Sequence, residues 1–427
     1  MPRRVFYGWY VLAASVVIEL FGLGFGIFAI TTVYPYIIDT FPSWSRTVVF
    51  LPTSLIILLV GALSPVVGYV IDRFSIRVLF AAGIIVQGTA LLLFSRVQTP
   101  GQYIAVSLLL GLGMSVVTIL PNQVLVSRWF QARIGLVNGI VLGATALGAA
   151  LAPALITRII VASDWRTAFL IVAALATIPP LLVVATIVRD RPESMGLQPY
   201  GASAHTALAA ASGMTLREAA RWPPFWIFAA VIFLGGMPCY SHNKHILVFL
   251  RELGFDPISA ADYKSFYFFV SACSRLLFGW LADRTDKRNL LAVQIFLIAG
   301  GFPLLFLVPA HHAMLVPALL LFGAGYGGLL PSVPILAVHY FGRAHLGTIL
   351  GGYKIAYDLA AAGAPAFTAA LYDHYGSYTV AQVWLTAFAW MALLLVVVGL
   401  PHRLTAAAMA PHGRAGPALP RARTERG

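Results

Sequence analysis

Charge is scarce in this chain, and the scarcity decides its broad class. Asp, Glu, Lys and Arg make up only 10% of the 427 residues, whereas a soluble domain carries about 25%. Hydrophobic residues make up 60%, and the mean hydropathy is +0.86. The composition excludes an ordinary soluble domain and predicts an integral membrane protein.

Cysteine is nearly absent, and so are the motifs of enzymes. Cys239 and Cys273 both fall in apolar runs, which argues against a disulfide framework and favours a packing role. There is no phosphate-binding loop after a strand, no metal-spaced cluster of His, Cys or Glu, and no nucleophile elbow. We therefore predict no enzymatic activity, no cofactor and no metal.

Acidic residues are outnumbered by basic ones, 15 to 28, which gives a net charge of +13. That charge could indicate nucleic-acid binding, but the Lys and Arg residues lie in short loops between apolar runs, as the positive-inside rule describes. Most of these residues, 19 of them, lie in loops or tails on the side of both termini, and six lie in loops on the opposite side, among them Lys264 at the start of an apolar segment. We predict no nucleic-acid partner, a monomeric multi-pass protein of the inner cell membrane in contact with the lipid bilayer, and cytoplasmic termini.

The abundant feature is apolar sequence of helix-spanning length. Twelve such segments lie at residues 8–33, 48–70, 77–95, 103–127, 136–160, 166–188, 225–249, 262–282, 289–308, 313–338, 346–371 and 379–400. Because no small-residue cleavage site follows the first segment, we expect a transmembrane helix there and not a signal peptide. The predicted organisation is an N-terminal six-helix bundle (1–188), a cytoplasmic linker (189–222), a C-terminal six-helix bundle (223–400) and a disordered cytoplasmic tail (401–427).

An internal repeat links the two bundles. GYVIDR at 68–73, followed by Arg77, recurs at a constant offset as GWLADR at 279–284, followed by Arg288. Phe130 and Phe341 are separated by the same offset. We therefore predict an all-α membrane protein of twelve transmembrane helices in two pseudo-symmetric six-helix bundles, with a site between them near the midplane.

Five charged residues fall deep within apolar segments: Glu19, Lys244, Arg275, Lys354 and Asp358. Arg275 lies eight residues before Asp283, about 12 Å at 1.5 Å per helical residue, close to the midplane of a core about 30 Å thick. A charge at that depth is costly and usually faces a partner or a water-filled cavity. Lys244 is close to the end of its segment and can snorkel to the interface, so we expect it to be peripheral.

Arg275 and Lys354 lie at the same depth, and two cations there suit an anion. A guanidinium holds a carboxylate in a bidentate fork, and an ammonium adds a point charge. The alternative is an internal ion pair, for instance Arg275 with Glu19 or Lys354 with Asp358, which lie on one helical face. Asp358 and Glu19 are also the candidates for proton uptake during transport.

The G-x-x-x-D-R-x-x-x-R loop and its repeat resemble the signature loop of the major facilitator superfamily, a family of twelve-helix transporters. Further stretches resemble its branch of monocarboxylate transporters and the oxalate:formate antiporter: YGW at 7–9, WSR at 44–46, RWF at 128–130 with Arg133, and Arg275 before Gly279. This resemblance implies that Arg275 is the partner of the substrate carboxylate. His245 aligns with a histidine common in the branch.

The chain also departs from that branch. The antiporter's lysine in the eleventh helix aligns near Tyr357 and Asp358, one turn after Lys354. Where monocarboxylate transporters have an acid one turn before the arginine, this chain has Ser271, and their lysine of the first helix falls near Ile27. The proton mechanism of that group therefore cannot be carried over intact.

Other residues complete the predicted site. Tyrosines on inner helices could supply hydroxyl donors and an apolar wall, although core packing is the alternative for each; they are Tyr34, Tyr240, Tyr326, Tyr353 and Tyr357. The signature loops would form a conformational gate that holds one state and releases it; their residues are Asp72, Arg73, Arg77, Asp283, Arg284 and Arg288.

The leading hypothesis is secondary active transport of small organic anions, mono- or dicarboxylates, by alternating access. A proton or an exchanged counter-anion would supply the driving force. The first alternative is an exporter of cationic or amphipathic compounds, with Glu19 and Asp358 as the substrate partners. The second is a sensor that binds its ligand without transporting it.

Overall fold

The computed structural model describes residues 6–131, 133–201, 213–282, 284–342 and 345–401, with the side chains of 65, 72, 120, 134, 135 and 330 left out of the description. Across these ranges the chain is helical, and its only β-pairing is two isolated bridges, Phe130 with Tyr200 and Gly213 with Gly342. The all-α prediction is therefore confirmed.

Twelve long helices make up most of the described chain. They are α1 (Gly8–Thr40), α2 (Arg46–Arg73), α3 (Ile76–Phe94), α4 (Pro100–Trp129), α5 (Ile134–Ala162), α6 (Trp165–Thr186), α7 (Pro223–Glu252), α8 (Pro257–Ala282), α9 (Lys287–Leu307), α10 (Leu315–Phe341), α11 (Leu346–Tyr375) and α12 (Thr379–Gly399). Eleven of these segments are long and apolar enough to cross a membrane. The exception is α11, whose central stretch carries Lys354 and Asp358.

Each predicted segment overlaps one helix, and the largest difference is in α1, which continues through Pro35 to Thr40. The middle of α1, Ile18–Phe25, is a π-helix, a conformation that is rare and frequent at functional sites. Helix α4 is interrupted at Thr118, which leaves two helical pieces, Pro100–Val117 and Ile119–Trp129.

Polar side chains at several helix starts accept the backbone hydrogen bonds that would otherwise be unmade. The Ser45 side chain accepts from the Val48 amide, and that of Asp286 accepts from the Asn289 amide. Asp164, in the loop before α6, accepts from the backbone and side chain of Thr167, and these bonds hold the pKa of its carboxyl below the usual value. These capping residues define helix starts at positions where the sequence changes from polar to apolar.

The internal repeat extends to individual hydrogen bonds. Arg77 Nε donates to the Val184 carbonyl at 3.1 Å, and its other nitrogen donates to the Ala185 carbonyl. In the second half, Arg288 Nε donates to the Val396 carbonyl at 3.1 Å, and the next carbonyl is bound in the same way. Each arginine therefore ties its own loop to the end of the last helix of its bundle.

The preceding arginines of the two loops are also equivalent. Arg73 lies over the ring of Tyr69 at 4.2 Å, and Arg284 lies over the ring of Trp280 at 4.1 Å. Both are cation–π contacts within a helix end. The pseudo-symmetry predicted from the two sequence loops is thus present in the fold.

The two halves meet along a seam that is closed at one end. We call the end that carries Phe6 and Pro401 the termini side, and the opposite end the distal side. On the distal side Arg46 of α2 pairs with Glu252 of α7, and its backbone amide donates to Asp373 of α11 at 2.9 Å. Two further pairs, Arg251 with Asp39 and Arg158 with Asp262, both at 2.8 Å, also join the halves. The distal side is therefore sealed.

The same seam opens toward the termini side. The last contact between α2 and α11 places Asp358 Oδ2 only 2.8 Å from where a Cβ on Gly61 would lie. Beyond it, a Cβ added at Gly68, Gly351 or Gly347 would meet no atom of the described residues within 4 Å, and the same holds between α5 and α8 at Gly139, Gly143 and Gly279. The halves therefore diverge from this point, and a central cleft faces the termini side.

The polar stretch between α6 and α7 attaches to both halves. The Tyr200 amide donates to the Trp129 carbonyl at 2.8 Å in the first half, and the Met214 amide donates to the Phe341 carbonyl at 2.8 Å in the second. Residues 202–212, between these anchors, lie outside the described ranges, as does the predicted tail apart from Pro401. The domain boundaries at 188 and 222 stay predictions.

Candidate functional site in the central cleft

Arg275 of α8 lies where the cleft narrows. It is half-buried, and its Nε is enclosed without a hydrogen-bond partner. Among the described residues, no carboxylate lies within ion-pair distance of this guanidinium. An ion pair with Glu19, one of the alternatives raised by the sequence, is therefore not formed in this conformation.

Several buried tyrosines lie near this guanidinium. Arg275 interacts electrostatically with the hydroxyls of Tyr267, Tyr326 and Tyr357, which lie on α8, α10 and α11. Tyr240 of α7 packs edge to face on Tyr357, with ring centroids 5.1 Å apart, and hydrogen-bonds to its hydroxyl. Four helices of the second half thus bring a cluster of tyrosines close to Arg275. We call Tyr240, Tyr267, Tyr326 and Tyr357, together with Arg275, the tyrosine pocket.

Two residues in or next to this pocket were absent from the sequence prediction. Tyr267 is fully buried and its ring stacks on Tyr326 at 5.7 Å. Asn243, one position before Lys244, hydrogen-bonds to Tyr326 and keeps its Oδ1 unpartnered. Both lie on helices that carry residues indicated by the sequence, Asn243 next to Lys244 on α7 and Tyr267 with Arg275 on α8. The sequence identified these helices, but it did not predict which of their side chains face Arg275.

Lys354 and Asp358 form an ion pair of 2.5 Å within α11. The Lys354 side chain is 45% exposed, whereas that of Asp358 is 16% exposed because it packs against Gly61 across the seam. In this conformation the two charges neutralise each other at the mouth of the tyrosine pocket. The pair combines an exposed cation with an acid that touches the opposite half.

Glu19 lies in the other half, fully buried in the π-helical part of α1. Its carboxyl accepts hydrogen bonds from Asn122 Nδ2 at 2.9 Å and from the Thr145 hydroxyl at 2.7 Å. Both donors are neutral, and each can bond to an ionised or a protonated carboxyl. Glu19 thereby joins α1, α4 and α5.

Three other residues predicted at the site lie apart from the tyrosine pocket. Tyr34 is buried and bonds to the Thr53 hydroxyl. Tyr353 packs among phenylalanines, with its ring stacked on Phe225 at 4.8 Å. His245 stacks on Phe50 of the first half at 3.7 Å, while its ring nitrogens lie 3.1 Å from the Tyr378 hydroxyl and the Pro365 carbonyl. In this conformation His245 contributes to the distal seal.

The expectation that Lys244 is peripheral was wrong. The residue is only 5% exposed, and its ammonium lies 5.9 Å from the Phe28 ring of the first half. Lys264, which the sequence placed in a loop, lies within α8 with no exposed surface and donates to the Thr31 hydroxyl at 3.0 Å. The reason is that α8 begins at Pro257, earlier than its apolar run, and α7 continues to Glu252.

The proposed gate can be described in part. Arg73, Arg77, Arg284 and Arg288 make the repeated contacts given above, whereas Asp283 and the side chain of Asp72 lie outside the described part of the chain. Chemically, the central cleft can hold an anion against one guanidinium and several hydroxyls. The fold has two bundles, a sealed end and an open end, and these features define a transporter.

The chain belongs to the Major Facilitator Superfamily, whose family model matches residues 16–365. It is similar to monocarboxylate transporter 13 of Bos taurus, with 26% identity over 79% of this chain and 77% of that protein. It is also similar to the uncharacterized MFS-type transporter YcxA of Bacillus subtilis, with 22% identity over 72% of this chain and 74% of that protein.

Solved structures show the same fold. A bacterial homolog of the human lysosomal transporter Spinster, crystallised in an inward-facing and unoccupied conformation, superposes with a TM-score of 0.71 at 16% identity. The match covers 92% of this chain and 95% of that one. The resemblance seen in the signature loops is thus confirmed at the level of the superfamily, and the protein is a multi-pass membrane transporter.

Proposed function

We propose that this protein transports small organic anions, mono- or dicarboxylates, by alternating access. The observation that carries the proposal is Arg275, a half-buried guanidinium in the cleft that has no acidic partner among the described residues. An arginine near the bilayer midplane is expensive unless it faces water or a counter-charge. A substrate carboxylate supplies that counter-charge during transport.

The surroundings of Arg275 suit a carboxylate with a small carbon skeleton. A guanidinium binds a carboxylate through two parallel hydrogen bonds. The hydroxyls of Tyr326 and Tyr357 can donate to the same oxygens, and the rings of Tyr240 and Tyr267 supply an apolar wall. The pocket therefore matches the general pattern of a few placed polar groups in an aromatic lining.

The coupling mechanism is proposed at the Lys354–Asp358 pair. A carboxylate that approaches Arg275 also attracts the exposed ammonium of Lys354. When Lys354 turns to the substrate, Asp358 loses its partner in a place of low dielectric constant and gains affinity for a proton. One proton would then accompany one anion, and without the acid the same site would exchange one anion for another.

The cationic-exporter alternative has less support from the geometry. A cation would need a free carboxylate, but Asp358 is paired with Lys354 and Glu19 is fully enclosed by neutral donors. The sensor alternative does not explain why the seam between the halves is sealed at one end and open at the other. A protein that only binds its ligand does not require this arrangement. We therefore favour transport of an anion.

The conformation gives the proposed cycle its starting point. With the distal side sealed by Arg46 and Glu252 and the cleft open on the termini side, the binding pocket is accessible from one side only. Rocking of one bundle against the other would break the distal contacts and close the cleft. If the termini are cytoplasmic, as the basic loops predict, this is the inward-open state.

Two measurements on the purified full chain test the proposal. Thermal stabilisation is measured with acetate, pyruvate, oxalate, succinate and, as a cation, tetraethylammonium. Uptake of the same radiolabelled compounds into proteoliposomes follows. We expect at least one carboxylate to stabilise the protein and to accumulate, and the cation to do neither. Stabilisation by the cation alone would support the exporter, and binding without uptake would support the sensor.

A further inference from the structure

A group of basic side chains lies on the distal side of the pocket. Lys264 of α8 is fully buried and Lys244 of α7 is 5% exposed, and the two ammonium groups interact electrostatically with each other. His242 is 5% exposed, interacts electrostatically with Lys264 and has an Nε2 without a partner. Three nitrogen-bearing side chains are thus gathered in the membrane interior.

This cluster lacks an acid. Within the described ranges, no Asp or Glu lies within ion-pair distance of Lys244 or Lys264. Their contacts are the Thr31 hydroxyl, 3.0 Å from Lys264 Nζ, and the Phe28 ring, 5.9 Å from Lys244 Nζ. Two buried lysines with neutral partners are energetically costly to keep charged, and a bound anion would offset that cost.

The cluster is aligned with Arg275. Lys264, Phe268, Ser271 and Arg275 are spaced by four, three and four positions, which places them on one face of α8. By helical rise, Lys264 lies about 16 Å from Arg275 toward the distal side. Ser271, between them, is 1% exposed and its hydroxyl has no partner. Ser271 therefore provides a polar group between Arg275 and the lysine cluster.

A pair of aromatic rings lies between Lys264 and Ser271 on this face of α8. Phe268 of α8 packs edge to face on Phe28 of α1, with ring centroids 4.8 Å apart. Phe28 also covers Lys244, and Thr31, one turn further along α1, covers Lys264. Phe28 and Thr31 both come from α1, so a displacement of α1 away from α8 would remove these contacts from both lysines at once.

We propose that Lys244 and Lys264 form a second anion site, which receives the substrate carboxylate from the distal side and passes it along α8 to Arg275. The proposal rests on the proposed function and adds a second binding site to it. The two sites are about 16 Å apart by helical rise. Because a small organic anion cannot span that distance, it occupies the two sites one after the other. In the conformation described here, the Phe28–Phe268 pair separates the two sites.

The first test uses transport kinetics from each side. Full-length protein is reconstituted in oriented proteoliposomes, and the carboxylate of the panel that is transported best serves as the probe. For Lys264→Met and Lys244→Met, which replace a buried cation with an apolar side chain of similar size, we expect KM from the distal side to rise about tenfold or more. KM from the termini side and equilibrium binding to the termini-open state should change less than about twofold.

Controls separate this site from Arg275 and from charge in general. Lys287→Met, at the start of α9, removes a lysine on the termini side and should change neither KM. Arg275→Lys should weaken binding from both sides. The proposal is overturned if the two lysine variants weaken binding equally from both sides, or if they leave KM from the distal side unchanged.

The second test does not depend on transport. Pyridoxal 5′-phosphate and pyridoxal both modify lysines through a reducible imine, but only the first is an anion. In Arg46→Ala/Glu252→Ala protein, which lacks an ion pair of the distal seal, labelling is quantified by peptide mass spectrometry. We expect Lys244 and Lys264 to prefer the phosphate form several-fold over pyridoxal, after normalisation to Lys287.

An equal preference at all three lysines, or no labelling of Lys244 and Lys264 by either reagent, would show that the cluster is structural. If no carboxylate of the panel is transported by the wild-type protein, the proposed function fails. The labelling ratio then still decides whether the lysine cluster is an anion site, so the two failures can be told apart.

Discussion

Of the five deep charged residues predicted from the sequence, the first half holds one acid, Glu19, whereas the second half holds Lys244, Arg275, Lys354 and Asp358. Glu19 accepts hydrogen bonds from two neutral side chains and is fully enclosed. Arg275 lies half-buried in the cleft, and its counterpart in the sequence repeat is Ser64, which bonds only to the Val60 carbonyl at 2.8 Å. The residues that we propose to bind the substrate are therefore confined to one half of a duplicated fold.

The supporting structure is not confined in this way. Arg77 and Arg288 make the same pair of bonds to helix-end carbonyls, and Arg73 and Arg284 make the same aromatic contact. Features that hold helices together were kept in both copies, while features that contact a ligand differ. We infer that the symmetric parts serve the motion of the bundles and the asymmetric parts serve recognition.

The largest effect is expected at Arg275. Arg275→Lys keeps the charge but loses the bidentate fork, so carboxylate affinity should fall about tenfold to a hundredfold while the protein still folds. Binding is measured by isothermal titration or thermal shift with the stabilising carboxylate. Arg96→Lys, an exposed change between α3 and α4, is the matched control. Near wild-type affinity in Arg275→Lys would remove Arg275 from direct contact with substrate.

The next effect concerns coupling at Asp358. Asp358→Asn removes the proposed proton acceptor, so a gradient of one pH unit, which can support about tenfold accumulation with one proton, should no longer concentrate substrate. Exchange of anion for anion should persist. Accumulation and exchange are compared in the same proteoliposomes. Wild-type pH dependence in this variant would make Asp358 a structural counter-ion of Lys354.

A smaller effect tests the symmetric scaffold. Arg77→Lys and Arg288→Lys each lose the paired bonds to helix-end carbonyls, so each should destabilise the protein by about 1–2 kcal/mol. The two losses should be similar, and substrate affinity should stay near wild type. Thermal unfolding in detergent provides the stability measurement. Clearly unequal losses would show that the two loops have different roles despite their matching contacts.

The smallest effect is expected at Glu19. In Glu19→Gln the amide oxygen can accept from Asn122, and the amide nitrogen can donate to the Thr145 hydroxyl, so both contacts survive. Affinity and pH-driven accumulation should change less than about twofold. This variant is the counterpart of Asp358→Asn in the first half. Loss of pH coupling here, with coupling intact in Asp358→Asn, would move the proton site to Glu19.

Most of the fold could be predicted from the sequence because membrane helices have a simple signal. Long apolar runs fix the helices, the two signature loops fix the repeat, and the depth of Arg275 follows from helical rise. The exception is α11, where Lys354 and Asp358 lower the apolar signal, yet the segment 346–371 was still counted. Depth and order along the chain are one-dimensional quantities, and sequence supplies them well.

The site was harder to predict because it depends on helix rotation and on packing between distant segments. Tyr353 and Tyr357 lie on the same helix, but only Tyr357 reaches Arg275, while Tyr353 faces phenylalanines. Lys264 was counted as a loop residue because polar residues at the start of α8 hide the beginning of the helix. Lys244 was set aside because snorkelling is the usual outcome near a helix end, whereas Phe28 covers it here.

The distal seal has a consequence for the medium in which this transporter works. Its pair of Arg158 with Asp262 is about half exposed, at 48% and 47%, so dissolved salt screens it and it contributes little. The enclosed contacts, such as the Ser54 hydroxyl on the Ala362 carbonyl at 2.5 Å and the stacking of Phe50 on His245, involve no exposed ions. The seal also includes the pairs Arg46 with Glu252 and Arg251 with Asp39, whose acids are 34% and 58% exposed. Higher salinity should therefore weaken the distal seal through its ion pairs, while the enclosed contacts stay in place.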